Sequence, residues 1–98
     1  MVEVVWLEDA IDDLIQIYNY ISKDSIYYAE ETIDDILNQA ENLIVFPYIG
    51  RKIPETDEEN KRELIYKSYR IMYKVESNNI IIRRIWHSAR ILPKQLIS

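Results

Sequence analysis

The chain has 98 residues, of which 48% are hydrophobic, and this size fits a single domain over residues 1–98 with one core. It has no cysteine, which excludes a disulfide framework and a thiolate metal site, and we expect neither a metal ion nor a cofactor. The formal net charge of −5 disfavours non-specific coating of nucleic acid, because such binding depends on neutralised phosphates.

The first 22 residues predict a short strand and then an amphipathic helix. Val2, Val4 and Trp6 alternate with other residues, as in a strand with one buried face. From Glu8 to Ser22, apolar residues recur every three or four positions, which is typical of a helix that packs on one side. The opening residues have no basic leader and no long apolar run, so we expect a cytoplasmic protein that neither is secreted nor spans a membrane.

A second helix is predicted from Ile26 to about Val45. Ser25 can cap its first turn, and Pro47 prevents it from continuing. Because only three residues separate the two helices, we expect them to form a hairpin. The polar residues 56–60 predict a solvated loop.

Three strand-like segments follow the helices, at Lys61 to Lys67, Tyr69 to Glu76 and Ile80 to His87. Together the elements predict an α+β fold, in which an N-terminal strand and a long helical hairpin precede an antiparallel meander sheet packed on the helices. We expect the helices to cover one sheet face and the other face to stay open. The alternation places Met72, Ile81 and Ile85 on the open face, where they would form an apolar patch that binds a partner.

The charge is divided unevenly along the chain. Residues 1–60 have fifteen acids against three bases, a net of −12, whereas residues 61–98 have nine bases against two acids, a net of +7. The basic part holds the candidate site residues, which are Arg62, Arg70, Arg83, Arg84, His87 and Arg90. Guanidinium groups suit phosphate or carboxylate oxygens, and a histidine can transfer protons near neutral pH. We therefore expect the functional surface of the protein to lie in this basic part.

Each of these residues also has a simpler interpretation. Strand arginines can lie on a solvated face and pair with the acidic helices, and such exposed pairs are common and weak. His87 can be structural, because no base, nucleophile or metal co-ligand is evident beside it. Tyr69 and Tyr73 can stack on bases or anchor a partner, but their spacing with Ile71 favours core packing.

In order, five segments resemble the RelE/ParE superfamily of type II toxin–antitoxin toxins, and most closely its ParE-like branch. They are Trp6-Leu-Glu-Asp-Ala-Ile-Asp-Asp-Leu14, Pro47-Tyr-Ile-Gly-Arg-Lys-Ile-Pro-Glu55, Arg62-Glu-Leu-Ile65, Tyr69-Arg-Ile-Met-Tyr73 and Ile85-Trp-His-Ser-Ala-Arg90. The resemblance covers nearly the whole chain. It implies a small α+β toxin that a cognate antitoxin neutralises in a toxin–antitoxin hetero-oligomer.

The resemblance leaves two mechanisms open. ParE-like toxins arrest growth by inhibiting DNA gyrase and are not themselves known as nucleases, whereas RelE-like toxins cut mRNA on the ribosome. In the second case the resemblance makes His87 the general acid, with Arg70 and Arg90 stabilising the charge of the transition state. Glu63 stands where a basic residue is expected, and no tyrosine follows Arg90, which favours the gyrase inhibitor.

A non-toxic remnant that only binds a partner is the third alternative. For target or antitoxin binding, the resemblance and the residue types together single out Arg62, Arg70, Met72, Arg83, Ile85, His87 and Arg90.

Overall fold

A computed structural model of the chain describes residues 2–91. The elements in chain order are strand β1 (Glu3–Trp6), helix α1 (Glu8–Ser22), helix α2 (Ile26–Glu41) and a 3₁₀ turn (Asn42–Ile44), and then strands β2 (Arg51–Lys52), β3 (Lys61–Tyr66), β4 (Tyr69–Glu76) and β5 (Asn79–His87). The predicted α+β fold is therefore confirmed, with a helical hairpin between the first strand and the meander.

The five strands form one sheet in the order β1-β5-β4-β3-β2. Strands β3, β4 and β5 are the predicted antiparallel meander. The N-terminal strand extends the sheet beside β5 and runs parallel to it. The two-residue strand β2, which the turn-like composition of residues 46–55 did not indicate, lies at the opposite edge. Strand β2 runs antiparallel to β1, and the three reversals from β2 to β5 bring β5 back parallel to β1, which makes the sheet mixed.

The helices begin where the sequence predicts. Helix α1 has the predicted bounds, and the Oγ atom of Ser25 accepts a hydrogen bond of 3.1 Å from the backbone N–H of Tyr28, which caps α2. Helix α2 ends at Glu41 rather than near Val45, because the backbone then tightens and Asn42 O accepts from both Val45 N and Phe46 N. Between residues 2 and 91, no helix has the length and apolarity that crossing a bilayer requires.

The core lies between the helical hairpin and one face of the sheet. Ala10 and Ile17 of α1 and Ile36 and Ala40 of α2 are buried against the sheet, where their partners are Ile71, Tyr73, Ile80, Ile82 and Ile85. Tyr73 is fully buried, which agrees with the predicted core role of this tyrosine, and Tyr69 is half-buried at the edge of the same cluster.

The predicted position of Ile85 is wrong because β5 contains a β-bulge. Met72 pairs with Arg84 whereas Tyr73 pairs with Ile82, so that Arg83 is the extra residue of the bulge. The bulge reverses the alternation, and Ile85 joins Ile80 and Ile82 on the helix side, where it is 3% exposed.

The second sheet face is less open than predicted. Met72 lies on it, as expected, but is only 1% exposed. The loop between β2 and β3 covers this region, since Ile53 is buried and Glu55 bonds to Arg70. The apolar patch expected from Met72, Ile81 and Ile85 is therefore absent, since of the three only Ile81 both lies on this face and is partly exposed. The rest of that loop is solvated as predicted, with exposed side chains at residues 57–59.

Candidate functional site

Three arginines of the basic part bind carboxylates of the chain itself, and Glu63 is the centre of the first cluster. Glu63 lies opposite Arg51 of β2, and its side chain is fully buried. Its Oε2 atom accepts from Nε of Arg51 at 2.6 Å, and its Oε1 atom accepts from Nε of Arg70 at 2.6 Å. The two remaining nitrogens of Arg70 donate to the carboxylate of Glu55 at 3.0 and 2.7 Å. The Arg70 guanidinium is thereby held on two carboxylates.

These contacts change the acidities of both partners. The hydrogen bonds from Arg70 lower the pKa of Glu55, and the Glu55 carboxylate in turn is the main cause of a raised pKa for Arg70. Both groups therefore stay charged over the physiological pH range, and the cluster has no proton to offer.

Arg62 is held in a second cluster, beside the turn that precedes β2. It donates from Nε to Glu59 O at 2.8 Å, from NH2 to the Glu59 carboxylate at 2.6 Å and from NH1 to Gly50 O at 3.1 Å. Its guanidinium also lies 5.0 Å from the ring centroid of Tyr48. Arg62 therefore stabilises the conformation of the chain around Gly50.

A third cluster closes the edge of β5 beyond the end of β1. Asp13 of α1 is buried there and accepts from Nε of Arg84 at 2.7 Å, from NH2 of Arg84 at 2.9 Å and from Ile85 N at 3.0 Å. The carboxylate thus takes the place of a strand neighbour for Ile85. The pKa of Arg84 is raised, chiefly by its hydrogen bonds to Asp13.

A cleft of about 480 Å³ lies between α1 and the end of β5. Its lining combines polar and aromatic side chains with a short apolar floor, namely Asp13, Gln16, Ile17, Tyr20, Tyr69, Ile85, His87 and Arg90. The His87 ring meets the Tyr69 ring edge to face at 5.5 Å, and its Nδ1 atom accepts from Ala89 N at 3.1 Å. Burial raises the pKa of Tyr69, which therefore stays a neutral hydroxyl.

Arg90 stands at the mouth of this cleft. Its side chain is exposed, and its guanidinium lies 5.9 Å from the ring centroid of Trp86, whose other cationic neighbour, Arg84, lies at 5.2 Å. The Trp86 Nε1 atom donates to Arg90 O at 3.2 Å, which fixes the backbone after β5. Arg90 can therefore meet an anionic group that enters the cleft.

The structure brings together only part of the predicted site. His87 and Arg90 share the cleft, but Arg70 does not join them. Arg70 lies directly opposite Trp86, one residue before His87, so Arg70 and His87 belong to opposite faces of the sheet. Arg83 occupies the bulge and is partly buried.

Sequence reasoning missed the acids that bind the arginines. Glu55, Glu59 and Glu63 are close to their partners in the chain or across one hairpin, but the loop composition gave no sign of which carboxylate would fold back. As an acid on an amphipathic helix, Asp13 gave no sign of burial, and only its spacing with the buried Ala10 and Ile17 could have placed it inward.

The sequence and the structure were both found to be similar to known proteins. The sequence profile of the family described as "ParE toxin of type II toxin-antitoxin system, parDE" matches residues 4–92. Among solved structures, a chain of the chromosomal ParDE TA system from P. aeruginosa matches with a TM-score of 0.73 and 24% identity, over 89% of this chain and 96% of that chain. This likeness shows a common fold.

No curated protein matches the chain in sequence. The family profile, however, spans β1 to the end of the sheet and includes the three clusters and the cleft. The resemblance to the ParE-like branch is therefore confirmed, and the chain belongs to the ParE toxin family of type II toxin–antitoxin systems.

Proposed function

We propose that the chain is a cytoplasmic toxin that arrests growth by inhibiting DNA gyrase, and that a cognate antitoxin neutralises it. Its membership of the ParE toxin family supports this function. The observation that carries the choice of mechanism is the position of Arg70, the middle-strand arginine that an RNA-cutting relative would use on a phosphate.

Arg70 already binds two carboxylates, which leaves it poorly placed to bind a phosphate. All three of its guanidinium nitrogens donate to Glu55 or Glu63, and the buried Glu63 carboxylate would repel a second anion. A phosphate at His87 would also lie on the other side of the sheet from Arg70. Transition-state stabilisation requires donors that already point at the developing charge, and this arrangement supports a toxin that acts by binding a protein.

The cleft supports a binding site for the antitoxin. It is concave, it offers the rings of Tyr20 and Tyr69 for apolar contact, and the exposed Arg90 can pair with a carboxylate. An acidic amphipathic segment has the matching chemistry. Because apolar contacts contribute, the complex should weaken only partly in high salt.

The test is induction of the full chain in a bacterial host, with and without the neighbouring antitoxin gene. We expect growth arrest, gyrase–DNA cleavage complexes and an SOS response without the antitoxin, and normal growth with it. Unimpaired growth without the antitoxin would contradict a toxin and support a binding remnant.

The same cultures test the ribosomal alternative. His87 and Arg90 share a cleft, and this is the observation that favours the alternative. Truncated mRNA that appears on induction and fades in a His87→Ala variant, without DNA cleavage complexes, would replace the gyrase mechanism with ribosome-dependent RNA cleavage.

A further inference from the structure

The segment between β2 and β3 contains acids and no base, and we call residues 53–60 the acidic strap. Its acids are Glu55, Asp57, Glu58 and Glu59. The backbone fixes the strap to the sheet, because Ile53 N donates to Lys61 O at 3.1 Å and Lys61 N donates to Glu58 O at 3.2 Å. The side chain of Ile53 is buried beneath it. The acidic strap is therefore a fixed part of the fold.

Two acids of the strap bind bases on the sheet face away from the helices. Lys61 lies opposite Lys74 on this face, and the alternation along β4 places Arg70 there as well. The Glu58 carboxylate lies 2.7 Å from Nζ of Lys61, while Glu55 accepts from Arg70. The hydrogen bond from Lys61 is the main cause of a lowered pKa for Glu58, and the charge of Lys74 adds to it.

In both pairs the acid lies outside the base. The side chains of Glu58 and Glu55 are 54% and 36% exposed, whereas those of their partners Lys61 and Arg70 are 8% and 10% exposed. An anion that approaches this face therefore meets carboxylates before it meets the bases, and like charges repel it.

The surface beside the strap has the chemistry of a single-strand binding site. Trp86 lies directly opposite Arg70 on β5 and is partly exposed, and the guanidinium of Arg84 lies 5.2 Å from its ring centroid. Lys74 is 35% exposed on the same face. Bases that bind phosphates beside an aromatic ring that stacks on nucleobases are the combination that binds single-stranded nucleic acid.

We propose that the acidic strap is an autoinhibitory cover, which keeps single-stranded nucleic acid off the sheet face that holds Lys61, Arg70, Lys74 and Trp86. Glu55 and Glu58 occupy the positions on these bases that backbone phosphates would otherwise take. This goes beyond the proposed function and depends on neither gyrase nor an antitoxin.

The test removes the two carboxylates and keeps the shape of the side chains, in a Glu55→Gln/Glu58→Gln variant of the full chain. The probe is a fluorescein-labelled oligothymidylate of about 16 nucleotides, and fluorescence anisotropy at low salt measures its binding. We expect the variant to bind at least about tenfold more tightly than the original chain, with a steeper dependence on salt, because two bases become available to phosphates.

The matched control is Asp12→Asn/Asp34→Asn, which removes two exposed acids from α1 and α2 and so changes the net charge equally. It should bind as the original chain does. Glu58→Gln alone serves as the second variant, since it leaves the buried Arg70 contacts in place and should keep the original unfolding temperature. It should still gain several-fold in binding.

The location of the bound strand is tested by adding Lys74→Gln to the double variant, which should reverse most of the gain. A gain that Lys74→Gln leaves unchanged would place the strand elsewhere and overturn the proposal. Equal gains in the strap variant and the helix control would reduce the effect to net charge, which also overturns it. So would unchanged binding in both Glu58→Gln and the double variant, or an equal gain for polyglutamate, which has the charge of the oligonucleotide without its bases.

Discussion

The Nε atom of Arg70 donates to Oε1 of Glu63 at 2.6 Å, and this pair joins β4 to β3 on the sheet face away from the helices. The Glu63 side chain is fully buried and the Arg70 side chain is 10% exposed. Such a pair is costly to desolvate, and its stability depends on both partners being present. Arg70, which the sequence suggests for binding an external partner, is therefore bound within the chain.

Glu63→Gln should lower the free energy of unfolding by about 3 kcal/mol, because it leaves Arg70 and Arg51 without a shared carboxylate in a buried site. Urea unfolding followed by circular dichroism measures the loss. Glu59→Gln is the control, since its carboxylate is 78% exposed and should cost less than about 1 kcal/mol. Equal losses in the two variants would contradict a structural role for the buried pair.

Because of Glu55, the free energy of unfolding should decrease at acidic pH. Its pKa is lowered in the folded protein by hydrogen bonds from Arg70, so the contribution of this contact is fully present above the unfolded pKa and is lost as the pH falls through the folded pKa. Glu55→Gln should therefore be less stable than the original chain near neutral pH. The difference should shrink as the pH falls through the lowered pKa of Glu55, and it should disappear once this carboxylate is protonated in the folded protein.

Urea unfolding across the acidic range measures this difference between the two proteins. Asp57→Asn, in the same exposed loop, is the control for a general effect of removing one negative charge. A difference between Glu55→Gln and the original chain that is constant with pH would mean that the Arg70 contact does not depend on the ionised carboxylate.

Much of the fold could be predicted because local signals and packing agree in this chain. The bounds of α1 follow from its apolar spacing, the cap of α2 from Ser25, and β4 from its alternation. The parallel position of β1 had no local signal, since it depends on a pairing with Ile80 and Ile82 more than 70 residues away.

The site was predicted less well, for two physical reasons. A strict alternation assumes that every residue of a strand has a partner opposite it, so it cannot predict the extra residue of a bulge. The bulge at Arg83 places Ile85 and His87 on the helix side of the sheet. A basic stretch also does not reveal which carboxylates will neutralise it. Arg70 and Arg84 both bind carboxylates of the chain itself, Arg70 those of Glu55 before β3 and Glu63 on β3, and Arg84 that of Asp13 on α1.

The only glycine, Gly50, shows how packing can explain a residue that composition only marks as a turn. A Cβ atom there would lie 2.6 Å from Glu63 O and 2.7 Å from the Tyr73 hydroxyl. The glycine therefore allows the chain to approach β3 and β4 closely, and this approach lets the Tyr73 hydroxyl bond to Gly50 N.

Tyr73→Phe should lower the free energy of unfolding by about 1–3 kcal/mol, because it leaves Gly50 N and Pro47 O without the buried hydroxyl. Faster proteolysis of residues 45–49 should accompany the loss, because the substitution removes the contacts that hold Pro47 and Gly50 to β4. Tyr27→Phe is the control, because Tyr27 is 71% exposed. Unchanged stability and proteolysis in Tyr73→Phe would mean that the loop is held by other contacts.

The edge of β5 beyond β1 gives a further test. Strand β1 pairs with β5 only as far as Ile82, and at Ile85 the Asp13 carboxylate accepts the backbone hydrogen bond in place of a neighbouring strand. The carboxylate holds two nitrogens of Arg84 and the backbone N–H of Ile85, and the Asp13 side chain is 11% exposed. Asparagine has nearly the same shape but presents an N–H₂ group where one oxygen accepted a bond. A donor would then face a donor in a nearly buried site.

Asp13→Asn should therefore lower the free energy of unfolding by about 2–4 kcal/mol, with faster hydrogen exchange at the Ile85 amide than at other β5 amides. Asp12→Asn, the preceding and exposed position of α1, removes the same charge and should change neither quantity by much. If Asp12→Asn and Asp13→Asn destabilise equally, the effect comes from the charge of the helix. If only Asp13→Asn exchanges Ile85 faster, the carboxylate closes the sheet edge and holds the cleft wall that α1 and β5 share.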